Sequence, residues 1–224
     1  QEAPMYVVIA VILTSIILAL TMDSFLIPLF FMLSVGMAIV YNMGTNFIQG
    51  EISFITEALA AVLQLAVTID YSIFLWHSYK EEKEKHPGDN KEAMAVAIGK
   101  TITSVVSSSI TTVAGFLALC FMSYELGMDM GIVMAKGVVI GVICCITVLP
   151  SMILVFDKAL EKTMHKDLVP SLEKPSKFII KHHAAFIVLF IVVLIPAVYG
   201  QINTNVYYNL TDTLPKDLNS VIAN

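Results

Sequence analysis

The sequence predicts an all-α integral membrane protein, a bundle of six transmembrane helices. Composition is the first sign: 57% of the 224 residues are hydrophobic and 14% charged, where soluble chains carry about a quarter charged residues. Mean hydropathy is +0.81. The second is six apolar runs, Met5–Thr21, Phe25–Tyr41, Ala58–Trp76, Ala97–Met122, Gly131–Phe156 and Ala184–Gly200, each near the ~20 residues that a helix needs to cross hydrocarbon. The third is charge placement. All thirteen cations are lysine, and eleven sit in two connections: Lys80, Lys83, Lys85, Lys91 and Lys100 after the third run, and Lys158, Lys162, Lys166, Lys174, Lys177 and Lys181 after the fifth. The connections of opposite parity, 42–57 and 123–129, hold none. Cytoplasmic loops collect lysine, so the rich connections read as cytoplasmic, with the N-terminus and the C-terminal tail outside.

Taken in order, the first run reads as a span and not a signal peptide, since no basic segment precedes it. Thr21-Met22-Asp23-Ser24 makes a tight hairpin to the second, with Asp23 or Ser24 as its N-cap. The third run carries an acid, Asp70, within the membrane. Pro87-Gly88-Asp89-Asn90 breaks the charged segment before the fourth run. After the fifth, Phe156, Leu160, Met164 and Leu168 recur four apart among lysines, an amphipathic helix on the inner surface that Pro170 and Pro175 should end. The tail from 203 is polar and completes no fold of its own, so the chain reads as an excerpt of a longer protein. Asn209-Leu210-Thr211 is a weak glycosylation sequon.

The polar residues inside the spans point to function. Gln64, Thr68, Tyr71 and Ser78 fall on one stripe of the third helix, with Asp70 at its edge and His77 near the inner interface. Thr101, Ser104, Ser108, Thr111 and Gly115 make a second stripe on the fourth. Facing each other, the two would line a hydroxyl path to a buried carboxylate and carry protons. Small residues also serve simple helix packing, and Gly137 and Gly141 of the fifth helix fit that reading. A carboxylate at membrane depth costs several kcal/mol and calls for a use. Lys136, the other charge within a span, is expected to snorkel outward to Asp129 or Glu125 as an ion pair, with an approach to Asp70 as the alternative. Cys120, Cys144 and Cys145 lie in apolar runs and read as small buried hydrophobes.

The run LAVTIDYSIFLWHSYKEE resembles the Asp-Tyr helix, the fourth transmembrane helix, of the MmpL (MMPL) branch of the RND transporter superfamily. SSSITTVAGFLALCFM and GIVMAKGVVIGVICCITVLPSMILVF resemble the two helices that follow it there. The resemblance implies a twelve-helix RND-type transporter of which this chain holds helices two to seven. Residues 1–156 are then helices two to six, also the extent of the sterol-sensing domain of eukaryotic relatives. Residues 157–183 are a cytoplasmic connector, 184–202 helix seven, and 203–224 the short extracellular start of a second extracellular domain.

The same resemblance makes Asp70 and Tyr71 half of a proton relay, to which the polar stripes add Ser108, Thr111 and Thr68. It implies export of lipids or amphiphiles driven by the proton gradient across a plasma membrane, with bacterial origin the closer fit. The implied partners are membrane lipids, the amphiphilic substrate, and the second helical half and extracellular domains of the same protein, with self-association left open. A sterol- or lipid-sensing module that does not pump is the alternative. No nucleic acid, cofactor or metal is expected. No nucleophile constellation, metal cluster or phosphate loop suggests an enzyme.

Overall fold

The structure, a computed structural model, describes residues 3–48, 50, 52–122, 125–165 and 173–204. Among these are eight α-helices: α1 (Ala3–Thr21), α2 (Leu26–Gly44), α3 (Phe54–Lys85), α4 (Asn90–Leu119), α5 (Glu125–Val155), α6 (Asp157–Thr163), α7 (Glu173–Lys181) and α8 (His183–Ile202). A 3-10 turn, Thr45–Ile48, extends α2. Five helices are long and apolar enough to cross a membrane: α2 with its 3-10 turn, α3, α4, α5 from Leu126, and α8. The sixth expected span, α1, is helical too, with a shorter apolar stretch over Val7–Thr21.

Two helices start six or more residues before their apolar runs. The Asp89 carboxylate accepts the Glu92 N–H at 3.0 Å and begins α4 at Asn90. Helix α5 begins at Glu125, six residues before Gly131, so ELGMDM belongs to the helix. The N-cap of α2 is Phe25, without a side-chain bond, and not Asp23 or Ser24; the Ser24 hydroxyl accepts the Leu26 N–H at 3.2 Å, while Asp23 is engaged elsewhere.

The chain divides into two compact units, 1–169 and 170–224. In the first, α5 packs against α2, α3 and α4. Lipid tails are as apolar as leucine, so burying leucine adds little in a bilayer, and close packing and hydrogen bonds hold the helices instead. Both act where α5 meets α2 and α3. Asn42 of α2 donates through Nδ2 to Gln64 Oε1 of α3 (2.9 Å) and to the Val133 carbonyl of α5 (3.2 Å). Gln64 donates in turn to the Gly137 carbonyl at 3.1 Å. A methyl group at Gly137 would sit 2.5 Å from Asn42 Nδ2, and one at Gly141 would sit 2.5 Å from Thr68 Oγ1. The two glycines are therefore a notch that lets polar side chains of α2 and α3 reach α5.

The lysine-rich end is tied by charge. Asp23 is buried; Trp76 Nε1 donates to Oδ1 at 3.0 Å and Lys80 pairs with Oδ2 at 2.5 Å. Burial works against its negative charge, but the Lys80 and Trp76 bonds prevail and hold the carboxyl below its ordinary value. Asp157, at the start of α6, accepts from Tyr79 (3.1 Å), Lys83 (2.6 Å) and Asn90 (2.6 Å), joining α3, α4 and α6. Buried Glu82 of α3 holds Lys100 of α4 at 2.6 Å.

The connector differs from the amphipathic helix expected over 156–168. Helix α6 ends at Thr163, whose hydroxyl bonds Ser24 at 2.8 Å. Met164 turns extended and bridges to Ser24, and the His165 N–H donates to the Asp23 carbonyl. These bonds outcompete a further helical turn. Leu160 is buried as the stripe predicts, Phe156 stacks on Phe30 at 5.5 Å, and Leu168 lies outside the described residues. In the second unit Pro175 does not stop a helix. It lies in the first turn of α7, where a missing N–H costs nothing; Pro170 lies outside the described residues. Phe178 of α7 meets Phe186 of α8 edge to face at 6.1 Å.

Two outcomes follow. Gly141→Ala should destabilise the full-length protein by about 1–3 kcal/mol in unfolding by sodium dodecyl sulfate, because the new methyl overlaps Thr68; adding Thr68→Ala should recover part of the loss, and an unchanged midpoint for Gly141→Ala contradicts the notch. Asp23→Asn should cost about 1–3 kcal/mol by removing the buried carboxylate that Lys80 and Trp76 bind. Since folding lowers this carboxyl, its contribution is complete above the unfolded value of about 3.9 and disappears as pH falls through the folded one. The gap between wild type and Asp23→Asn should therefore be full at pH 7 and close in strong acid.

Candidate functional site

Helix α3 carries polar groups on opposite faces. At 100° per residue Asp70 and Tyr71 are neighbours, whereas Thr68 is 200° from Asp70. Thr68 is fully buried with its hydroxyl against Gly141 of α5. Gln64 shares that face. Asp70, midway along the helix and about 24 Å from Phe54 at 1.5 Å per residue, looks the other way, toward α4.

There it opens into a groove of about 380 Å³ lined by Val67, Asp70, Tyr71 and Phe74 of α3 and Ser104, Val105, Ser108 and Thr112 of α4. Asp70 is exposed in this groove. Tyr71 is buried, and its hydroxyl finds no hydrogen-bond partner within the described protein. A buried phenol O–H left unanswered is costly by about 1–3 kcal/mol. The groove thus brings together a carboxylate, an unanswered hydroxyl and three aliphatic hydroxyls in the middle of a helix of membrane-spanning length. Such a set has the chemistry to hold water and exchange protons between oxygens. Among the described residues no group of three metal-ligating side chains occurs.

The expected residues separate accordingly. Asp70, Tyr71 and Ser108 meet at the groove. Thr68 does not join them, since helical geometry turns it toward α5. Thr111 is also off the lining, its hydroxyl donating to the Ser107 carbonyl at 3.2 Å; Thr112 takes that place. The signal for Thr112 is in the sequence, where Ser104, Ser108 and Thr112 recur four apart.

The Lys136–Asp129 ion pair is absent from the structure. Asp129 accepts from the Ser53 N–H and the Thr56 hydroxyl, both at 2.8 Å, at the start of α3. With α5 beginning at Glu125, Lys136 lies about 17 Å into its helix at 1.5 Å per residue, twice the depth below Gly131. Its ammonium donates to Asn46 Oδ1 at 2.5 Å, and so does not turn to Asp70. The side chain of Glu125 lies outside the described residues.

Comparison with known proteins agrees with this architecture. The profile of the MMPL family matches residues 2–169. The chain is 30% identical to the membrane protein ActII-3 of Streptomyces coelicolor over 63% of its length and 20% of that protein's. It is 24% identical to the membrane protein YdfJ of Bacillus subtilis over 87% of its length and 28% of that protein's. Against the "Probable transport protein MmpL9" of Mycobacterium tuberculosis it is 28% identical over 66% of its length and 15% of that protein's. The chain thus spans between about a seventh and somewhat over a quarter of these relatives. The match over most of its length, on a bundle of membrane-spanning helices with an Asp-Tyr pair at mid-span, places this multi-pass membrane chain in the MMPL family.

Proposed function

We propose that this chain is the first helical half of a transporter that exports lipids or amphiphiles at the expense of the proton gradient, with Asp70 as the group that gains and loses the proton. The observation that carries the reading is the groove itself: an exposed carboxylate at mid-span beside a buried tyrosine hydroxyl that lacks a partner. Ser104, Ser108 and Thr112 order water toward Asp70, and Tyr71 supplies its free hydroxyl to that chain. The fully buried Gln64 and Thr68 on the far side of α3 clamp it to α5, so a change of charge at Asp70 moves α3 together with its neighbour. One charge crossing 100 mV is worth about 2.3 kcal/mol, enough for modest uphill work per proton.

The lysine-rich end, with the 157–183 connector, is assigned to the cytoplasm of a bacterial cell. The 3-10 turn of Thr45–Ile48 and the tail from 203 are assigned to the outer side, and a second helical half of the same protein closes the open side of the groove. The relatives' names add transport in one case, MmpL9.

Asp70→Asn in the full-length protein should abolish proton-driven export in membrane vesicles while leaving expression and insertion intact. Tyr71→Phe should reduce export about 10-fold or more at unchanged or higher stability, because it removes a buried hydroxyl that nothing answers. Export by Asp70→Asn at the wild-type rate under a proton gradient would refute the coupling. A lipid-dependent response that persists after the gradient is dissipated would favour the sensing module instead.

A further inference from the structure

Lys136 presents a charge that the described protein does not balance. It is partly exposed, and its ammonium has three donors. One meets Asn46 Oδ1, a neutral amide. Asn46 is itself buried, and its amide N–H reaches only the sulfur of Met43, a weak acceptor, at 3.7 Å. No carboxylate among the described side chains pairs with Lys136, and Asp129, seven residues earlier on α5, is already committed to Ser53 and Thr56. The apolar residues around this end of the bundle, Phe47 at 78% and Phe54 at 77% exposed, mark it as a lipid-facing rim. A cation held by a neutral amide at the edge of hydrocarbon is poorly compensated, and an anion beside it removes the cost.

We infer that Lys136, held in place by Asn46, binds an anionic phosphate group at the rim of the bundle opposite the lysine-rich end. Asn46 fixes the ammonium through one N–H and leaves two N–H donors for phosphate oxygens, with charge-assisted bonds stronger than neutral ones. In a bilayer the group at hand is the headgroup of an anionic phospholipid, whose phosphate, unlike that of phosphatidylcholine, has no choline cation of its own to balance it, and whose acyl chains lie along the apolar rim. The site is separate from the Asp70 groove, on the opposite side of α3, and stands or falls independently of the proton step.

The test is thermal unfolding of the full-length protein in nanodiscs of phosphatidylcholine, with and without phosphatidylglycerol, and in phosphatidylcholine with added inorganic phosphate. Wild type should gain a few degrees in Tm from phosphatidylglycerol. Lys136→Gln should lose most of that gain and Lys136→Arg should keep it. Asn46→Asp, which supplies the missing counter-charge from within, should raise Tm in phosphatidylcholine alone and no longer respond to phosphatidylglycerol. A gain from phosphatidylglycerol but not from inorganic phosphate places the group on a lipid; an equal gain from inorganic phosphate places it on a soluble anion at the same site. A phosphatidylglycerol gain unchanged in Lys136→Gln and Asn46→Asp, or no gain in wild type, would overturn the inference.

Discussion

Every polar side chain that α3 carries to membrane depth must be answered by a neighbour, because hydrocarbon offers neither donors nor acceptors. The structure packs one face closely and leaves the other open. Toward α5, Gln64 is met by Asn42 and the Gly137 carbonyl, and Thr68 is pressed into the space left by Gly141, its hydroxyl without a hydrogen-bond partner among the described residues. Toward α4, Asp70 and the Tyr71 hydroxyl have no protein partner among the described residues. The closed face makes α3 and α5 one packed unit and the open face gives that unit something to respond to. A groove at mid-span with unmet polar groups is where water and protons have reason to be.

Both ends of the bundle support this central asymmetry by different means. At the lysine-rich end, carboxylates recruit cations from other elements: Asp23 from α3, Asp157 from α3 with amide support from α4, and Glu82 from α4. The carboxylates are buried while their lysines stay partly exposed, so each buried charge is met by a cation that keeps part of its hydration. At the opposite end Lys136 is held by an amide, and no carboxylate among the described side chains pairs with it. The two ends of α3 are thus anchored differently, firmly among salt bridges on one side and through the Asp129 contacts with Ser53 and Thr56 on the other.

Much of this was legible in the residues. Apolar runs located the spans because the length of a membrane helix is set by the bilayer, and Asp70-Tyr71 stood out because an acid is costly there. The errors have physical origins. Thr68 shares the Gln64 stripe, as the spacing said, but periodicity does not say which neighbour each face meets, and α5 lies on that side. Thr111 and Thr112 are adjacent, and only the rotation of α4 about its axis chooses between them. The partner of Lys136 was not legible because ELGMDM reads as polar connection by hydropathy yet continues the helix, and Asn46 comes from a turn 90 positions away. Asp157 likewise joins elements 67 to 78 residues apart, contacts that no local pattern announces.

The central claim is that Asp70 changes its protonation state within the membrane as the transporter works. Infrared difference spectroscopy of the full-length protein in lipid, stepped through external pH, reads this directly from the carboxyl C=O stretch. The account predicts a band that appears and vanishes with pH, absent from Asp70→Asn and displaced when the proton gradient is reversed. A spectrum in which no band is lost on Asp70→Asn across the range in which the protein is folded would contradict it.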